Sequence, residues 1–432
     1  MQLSAFASAF KTPDLRKKLL FTLGIITLFR IGSVIPIPGV SYTAVQTCLK
    51  AAESNQLLSL VNLFSGGALL KLSIFALGIM PYITSSIILQ LLVVVIPRLE
   101  MLKEEGQSGQ AKITQYTRYV TIGLALLQST SILTLARTPG RLIQGCTEDL
   151  IPSDDIFQFV VMIVVLTAGT AMIMWLGELV TGKGVGNGMS ILIFTSIIAT
   201  TPGQMYNIGV SQGSWTLIGV VAVGIFTIAG VVFVEQAQRR IPVQYAKRMV
   251  GRSSYGGTST YLPLKVNMAG VIPVIFASSL LYIPSLIVNL TGSTDAWAQW
   301  IATNLTRGEE PIYLAVYFCL IIFFAYFYVS ITFNPEKTAE DFRKYGGFVP
   351  GIRAGKPTAD YLRYVMNRLT LPGSLYLALI ALIPFFAFAQ LNVTNRFIFG
   401  GTSLLIMVGV GLDTVKQIES QLQQRSYEGF LK

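Results

Sequence analysis

Residues 215–235, WTLIGVVAVGIFTIAGVVFVE, decide the fold. The stretch holds one formal charge, Glu235, at its last position. A helix rises about 1.5 Å per residue, so roughly twenty apolar residues cross a hydrocarbon layer about 30 Å thick. Inside that layer no water satisfies peptide N–H and C=O groups, so the backbone must bond to itself as a helix. Comparable blocks recur on both sides of this one. Of the 432 residues, 52% are hydrophobic and only 12% charged, about half the charged share of a soluble protein. The chain reads as an all-α polytopic membrane protein.

Working outward, ten spans are expected, at roughly 19–35, 73–96, 117–136, 156–176, 188–200, 215–235, 267–290, 311–333, 369–391 and 397–412. The fifth is short and opens on glycine, and the tenth is barely long enough. An even number leaves both termini on one side, together with residues 97–116, 177–187, 236–266 and 334–368. That side carries 25 of the 32 Lys and Arg, counting Arg118 at the mouth of the third span. The opposite loops carry six (Lys50, Lys71, Arg137, Arg141, Arg307 and Arg396), and Arg30 lies inside the first span. Basic residues are retained in the cytoplasm, so both termini are expected there. No cleavable signal peptide is evident: Pro36, Pro38 and Gly39 follow the first apolar stretch, and more spans come after.

The residues exclude most chemistry. The chain has no His, and its carboxylates do not cluster, so no catalytic constellation, metal site or cofactor is expected. Cys48, Cys146 and Cys319 are far apart without CxxC spacing and suggest neither a disulfide framework nor a zinc site. The run Gly182-Lys183-Gly184-Val185-Gly186-Asn187-Gly188 resembles a phosphate loop superficially. It lies between two spans, without the strand that a nucleotide fingerprint needs. It reads instead as a tight turn that lets those spans approach closely. Arg30 reads as a structural cation that bonds backbone carbonyls or snorkels, because no acidic partner lies within a span.

Three features point to a conduit. Residues 36–72 form the long loop on the outer side and contain an apolar piece, Leu57–Leu70, interrupted by Gly66 and Gly67. It is too short to span and reads as re-entrant. Ile79, Ile83 and Ile87 share one face of the second span, and Ile193 and Ile197 one face of the fifth. Spacing alone does not make a pore, but the absence of mid-membrane Asp or Glu favours an aliphatic gate over an ion-coupled site. The loops 236–266 and 334–368 carry Arg239, Arg240, Lys247, Arg248 and Arg252, then Arg343, Lys344, Arg353, Lys356, Arg363 and Arg368. Such projections suit anionic lipid or an RNA-rich or acidic partner.

At Leu63-Phe64-Ser65-Gly66-Gly67-Ala68-Leu69, and again over Ser73–Ile83, the chain resembles the bacterial SecY family. The likeness continues at Gly184–Gly188, Leu262–Pro273, Phe348–Arg353 and Gly400–Ile406, so it covers both halves in order. It implies ten helices in two pseudo-symmetric halves of five, 1–200 and 201–432. It implies a pore ring at Ile79, Ile83, Ile193, Ile197, Ile275 and Ile406. It implies a plug at Asn62, Leu63, Phe64, Ser65, Gly66, Gly67, Ala68, Leu69 and Leu70, and a lateral gate including Gln90, Asn267 and Ser279. Loop tips at Lys247, Arg252 and Arg353 would meet the SecA motor ATPase or the ribosome. Relatives often carry a second Arg after Arg252, where this chain has Ser253.

The implied function is a protein-conducting channel of the plasma membrane. It would pass unfolded polypeptides across and release membrane helices sideways. Implied partners are the small SecE and SecG subunits, SecA, the ribosome, signal peptides, nascent chains and membrane lipids including anionic lipid. A secondary transporter of a small solute, which also uses broken helices and repeats, is the competing reading.

Overall fold

The computed structural model describes residues 12–51, 65–138, 148–152, 155–245, 248–250, 253–255, 259–291, 295–305, 310–390 and 401–430. Helices come in the order α1 (Pro13–Gly32), α2 (Tyr42–Ala51), α3 (Met80–Val95), α4 (Pro97–Glu104), α5 (Gln107–Arg137), α6 (Ile156–Lys183), α7 (Gly188–Gln212) and α8 (Ser214–Gln236). Strands β1 (Gln238–Tyr245), β2 (Arg248–Val250), β3 (Ser253–Tyr255) and β4 (Ser259–Lys265) follow. Then come α9 (Ile272–Thr291), α10 (Ala296–Asn304), α11 (Pro311–Thr332), α12 (Pro335–Lys344), β5 (Gly347–Phe348), α13 (Lys356–Gln390) and α14 (Gly401–Phe430).

The described parts of the expected spans fall largely on helices, while residue 391 of the ninth and residues 397–400 of the tenth lie outside the described residues. By length and apolarity alone, five stretches among the described residues can cross a bilayer: Gln107–Arg137, Ile156–Lys183, Ser214–Gln236, Pro311–Lys344 and Lys356–Ile383. A sixth is added if the bent pair α3–α4 counts as one span. The others fall short for physical reasons. α1 carries Arg16, Lys17, Lys18 and Arg30, and the apolar parts of α7 and α9 are short.

The second span departs from expectation at both ends. Residues 65–79 run as successive turns, and helix begins only at Met80. Gly78 takes φ +57 there, a left-handed conformation that interrupts a right-handed helix. At the other end Ile96 is extended ahead of Pro97, as a residue before proline prefers. The chain bends by 100° into α4.

The outer loop also differs from its reading. Cys48 is disulfide-bonded, whereas Cys319 is free and exposed. Disulfides depend on proximity in the fold, which spacing along the chain does not report. Cys48 is buried in a cluster with Ile37, Val45 and Leu69, backed by Leu133 of α5 and Leu166 of α6.

The two long basic loops are one structural unit. β1 pairs antiparallel with β4, from Gln238 opposite Lys265 to Gln244 opposite Ser259. Its other edge takes β5 from the second loop, with Gln244 opposite Phe348. Along β1, Ile241 and Val243 alternate inward. Ile241 packs with Leu264, Val349, Leu362 and Val365, so the sheet sits on α13.

Candidate functional site

The six isoleucines expected to line a pore belong to one hydrophobic cluster. Ile79 caps the start of α3 and Ile83 follows one turn later, bonded through Ile83 N–H to Ile79 O at 3.1 Å. Ile193 and Ile197 come from α7, Ile275 from α9 and Ile406 from α14. Ile79 and Ile197 are fully buried and Ile406 is 1% exposed. Ile87, on the same face of α3 in the sequence reading, instead joins Val274, Phe276 and Leu281 in the neighbouring cluster. Phe29 and Phe75 belong to the same cluster, as do Met80, Met174 and Met189, and the two phenylalanine rings stack 5.9 Å apart. Nothing in their spacing announces that contact.

The interior of this cluster is dry in chemical terms. Ser196 lies between Ile193 and Ile197 in sequence, but its hydroxyl donates to Leu192 O at 2.9 Å and is fully buried. An aliphatic lining offers water nothing in exchange for its hydrogen bonds.

The segment expected to act as a plug abuts the cluster. Asn62, Leu63 and Phe64 lie outside the described residues. Gly66 and Gly67 take φ +67 and +87, bending the chain where a side chain would strain it. Arg30 Nη1 donates to Gly66 O at 3.0 Å, the carbonyl partner expected for this cation. A Cβ on Gly66 would stand 2.9 Å from Arg30 Nη1 and 3.3 Å from Ser196 Cα. Ser65 Oγ accepts from Leu69 N–H at 3.1 Å, and Ser73 Oγ donates to Ala68 O at 3.2 Å. Ser65 and Ala68 are fully buried. Leu69, with Leu70 against it, packs into the outer cluster around Cys48 rather than among the isoleucines. Ile37 N–H to Leu72 O and Ile74 N–H to Ile35 O tie this segment to the chain leaving α1.

The expected gate residues sit on α3, on α9 and just ahead of α9. Gln90 is exposed on α3. Asn267 is buried, and its amide donates to Glu235 Oε1 at 2.6 Å and to Gly270 O at 3.1 Å. The sequence placed Glu235 at a span end but did not pair it. Ser279 Oγ on α9 is buried with no hydrogen-bond partner among the described residues, a deficit of about 1–3 kcal/mol. Among the loop residues, Lys247 and Arg252 lie outside the described residues. Arg353 is exposed, two residues after Gly351 at φ +83, with its carbonyl held by Thr358 Oγ1 at 2.8 Å.

The Gly182–Gly188 run forms the expected tight turn. A Cβ at Gly188 would overlap the Gly177 carbonyl, so α6 and α7 touch backbone to backbone. Beside it, Arg118 of α5 forms a two-pronged ion pair with Glu178 of α6, at 2.8 and 2.6 Å.

Several helices long and apolar enough to cross a bilayer, together with a buried hydrophobic cluster drawn from α1, α3, α6, α7, α9 and α14, define a polytopic α-helical membrane protein. Comparison with known proteins sharpens that class. The SecY family profile matches residues 73–415. The protein translocase subunit SecY of Streptomyces scabiei is 66% identical over 437 residues, covering 100% of both chains. Those of Streptomyces coelicolor and Mycobacterium bovis are 64% and 59% identical, again over 100% of both chains. The chain belongs to the SecY family. A solved protein-conducting channel, 18% identical, superposes with a TM-score of 0.61 over 93% of this chain and 91% of the other, which shows the shared fold.

Proposed function

We propose that the chain is the channel subunit of a protein translocase, passing unfolded polypeptides across a membrane and releasing hydrophobic helices sideways. Full-length identity of 66% to a protein translocase subunit carries this reading. The gathering of Ile79, Ile83, Ile193, Ile197, Ile275 and Ile406 supports a gate made of aliphatic side chains. Such a ring closes around any extended chain without reading its sequence.

In this account residues 1–200 and 201–432 are the two halves, hinged between α7 and α8. Residues 62–70 are the plug. Helices α3 and α9 part as the lateral gate, with Gln90, Asn267 and Ser279 along it. Ile87 packing with Val274 and Phe276 supports a closed seam between them. Lys247, Arg252 and Arg353, from the two basic loops, are the residues that would meet SecA or the ribosome. A canine relative of the fold was solved in a ribosome–channel complex, which supports the second partner. SecE and SecG are the expected companions, and anionic lipid the expected surroundings. The 25-to-6 distribution of basic residues supports an orientation with both termini cytoplasmic, and the plasma membrane is the membrane this reading assigns.

A bacterial strain depleted of its own channel subunit tests this reading. Expression of this chain restores export of a secreted reporter. Normal membrane insertion of the chain with no restored export contradicts it.

A further inference from the structure

One groove lies away from the cluster of isoleucines. It is a cavity of about 700 Å³ between α11 and α13, at the ends nearest the basic loops. That volume is within the range of roughly 300–1,000 Å³ typical of ligand sites. Phe323, Phe327 and Ser330 line it from α11, and Arg363, Met366 and Asn367 from α13. Residues 363, 366, 367 and 370 share one helical face, so polarity is graded along the groove. Along α13 the Arg363 guanidinium precedes the Asn367 amide by one turn, and Phe323 and Phe327 line the groove from α11. The Asn367 amide has no hydrogen-bond partner among the described residues. From Arg363 to Thr370 the rise is about 10 Å, close to the depth of a lipid's headgroup and glycerol region.

The charge at the mouth selects among lipids. Arg363 is the charged residue of the lining, and it holds two carboxylates: Glu336 at 2.9 Å and Asp360 at 3.2 Å. All three side chains are at least half exposed. With Lys103, whose ammonium lies 3.5 Å from Ile331 O at the same end of α11, the surroundings hold two cations and two carboxylates. A purely anionic headgroup leaves both carboxylates without a new partner. A quaternary ammonium cannot donate a hydrogen bond to the carboxylates. A phosphate joined to a primary ammonium satisfies both signs: its phosphate faces Arg363 and its ammonium faces Glu336 and Asp360.

We infer that the α11–α13 groove is a binding site for a phospholipid with a primary-ammonium headgroup, phosphatidylethanolamine, in the leaflet on the side of the basic loops. One acyl chain lies along Phe323, Phe327 and Met366, and the glycerol esters reach Asn367. The site rests on the membrane placement of these helices and is independent of the pore assignment.

Native mass spectrometry of the purified full-length chain, with any subunits that co-purify, tests the site. The protein is offered equal amounts of dioleoyl phosphatidylethanolamine, phosphatidylglycerol and phosphatidylcholine. The expected result is at least three-fold enrichment of the phosphatidylethanolamine adduct over each of the others. Ser330→Trp and Asn367→Trp, each filling the groove from an exposed position, abolish the enrichment while the protein still elutes as a single folded species. Equal retention of the three lipids in the native chain overturns the site. So does preferential retention of phosphatidylglycerol, or enrichment that survives both Trp variants in folded protein.

Discussion

Replacing Arg30 by Leu isolates one contact between the plug segment and the helix bundle. Arg30 Nη1 donates to Gly66 O at 3.0 Å, and no other side-chain hydrogen bond of Arg30 occurs among the described residues. A hydrogen bond to a charged donor is worth about 1.5–3 kcal/mol. If the segment moves out as a unit, that loss raises the population of the displaced state by about 10- to 150-fold, at roughly 1.4 kcal/mol per tenfold. Leu also removes a charge from a span, so insertion does not suffer. The assay is the resting conductance of purified channel in a planar bilayer, together with the amount of inserted protein. Gly66→Ala perturbs the same contact from its other side, by strain at φ +67 and a Cβ 2.9 Å from Arg30 Nη1. It should raise the leak too, and the double variant should leak less than independent effects would give, because both act on one contact. A resting conductance within two-fold of the native channel in both single variants would refute the reasoning.

Three further outcomes follow from other parts of the fold. Arg353→Glu, exposed at its loop tip, should leave the protein inserted and equally heat-stable while export of a secreted reporter falls by an order of magnitude or so, as reversal of a partner-facing charge does; full export at normal protein levels would assign Arg353 to the lipid surface. Gly188→Val should sharply lower the amount of folded protein recovered from membranes, because its Cβ would collide with the Gly177 carbonyl; Gly182→Ala, with open space around it, should be tolerated, and equal recovery of the two would contradict the close approach. Alkylation of protein unfolded without reductant should label Cys319 and leave Cys48 unmodified until reductant is added; labelling of Cys48 in unfolded, unreduced protein would disprove the disulfide.

The helices were legible because a bilayer imposes one solution on an apolar block, as residues 215–235 illustrate. Their ends were less so. The late start at Met80 depends on backbone angles at Gly78, and glycine permits both helical and left-handed states. The sheet was missed although Ile241 and Val243 alternate. Its outer partner, Gly347–Phe348, arrives about a hundred residues later, and two residues carry no periodic signal. Around the site, four-residue spacing marked Ile79, Ile83, Ile193 and Ile197, while Ile275 and Ile406 came only from family likeness. Phe29 against Phe75 and Asn267 against Glu235 were invisible, since both contacts depend on how separate helices and their connections pack. Arg30 was readable as a cation seeking a carbonyl, but which carbonyl required the fold.

The central claim is that the aliphatic cluster is the gate of a polypeptide channel, and Ile406→Asn tests it most directly. Ile406 is 1% exposed within the cluster and faces no lipid. An Asn there would supply hydrogen bonds to water, wet the interior and lower the cost of opening. The measurement pairs export of a reporter whose signal sequence is defective with the quantity of membrane-inserted channel. The account predicts more export of the defective reporter at unchanged channel levels. Less inserted channel, with no gain in defective-signal export, would contradict it and leave Ile406 as ordinary packing.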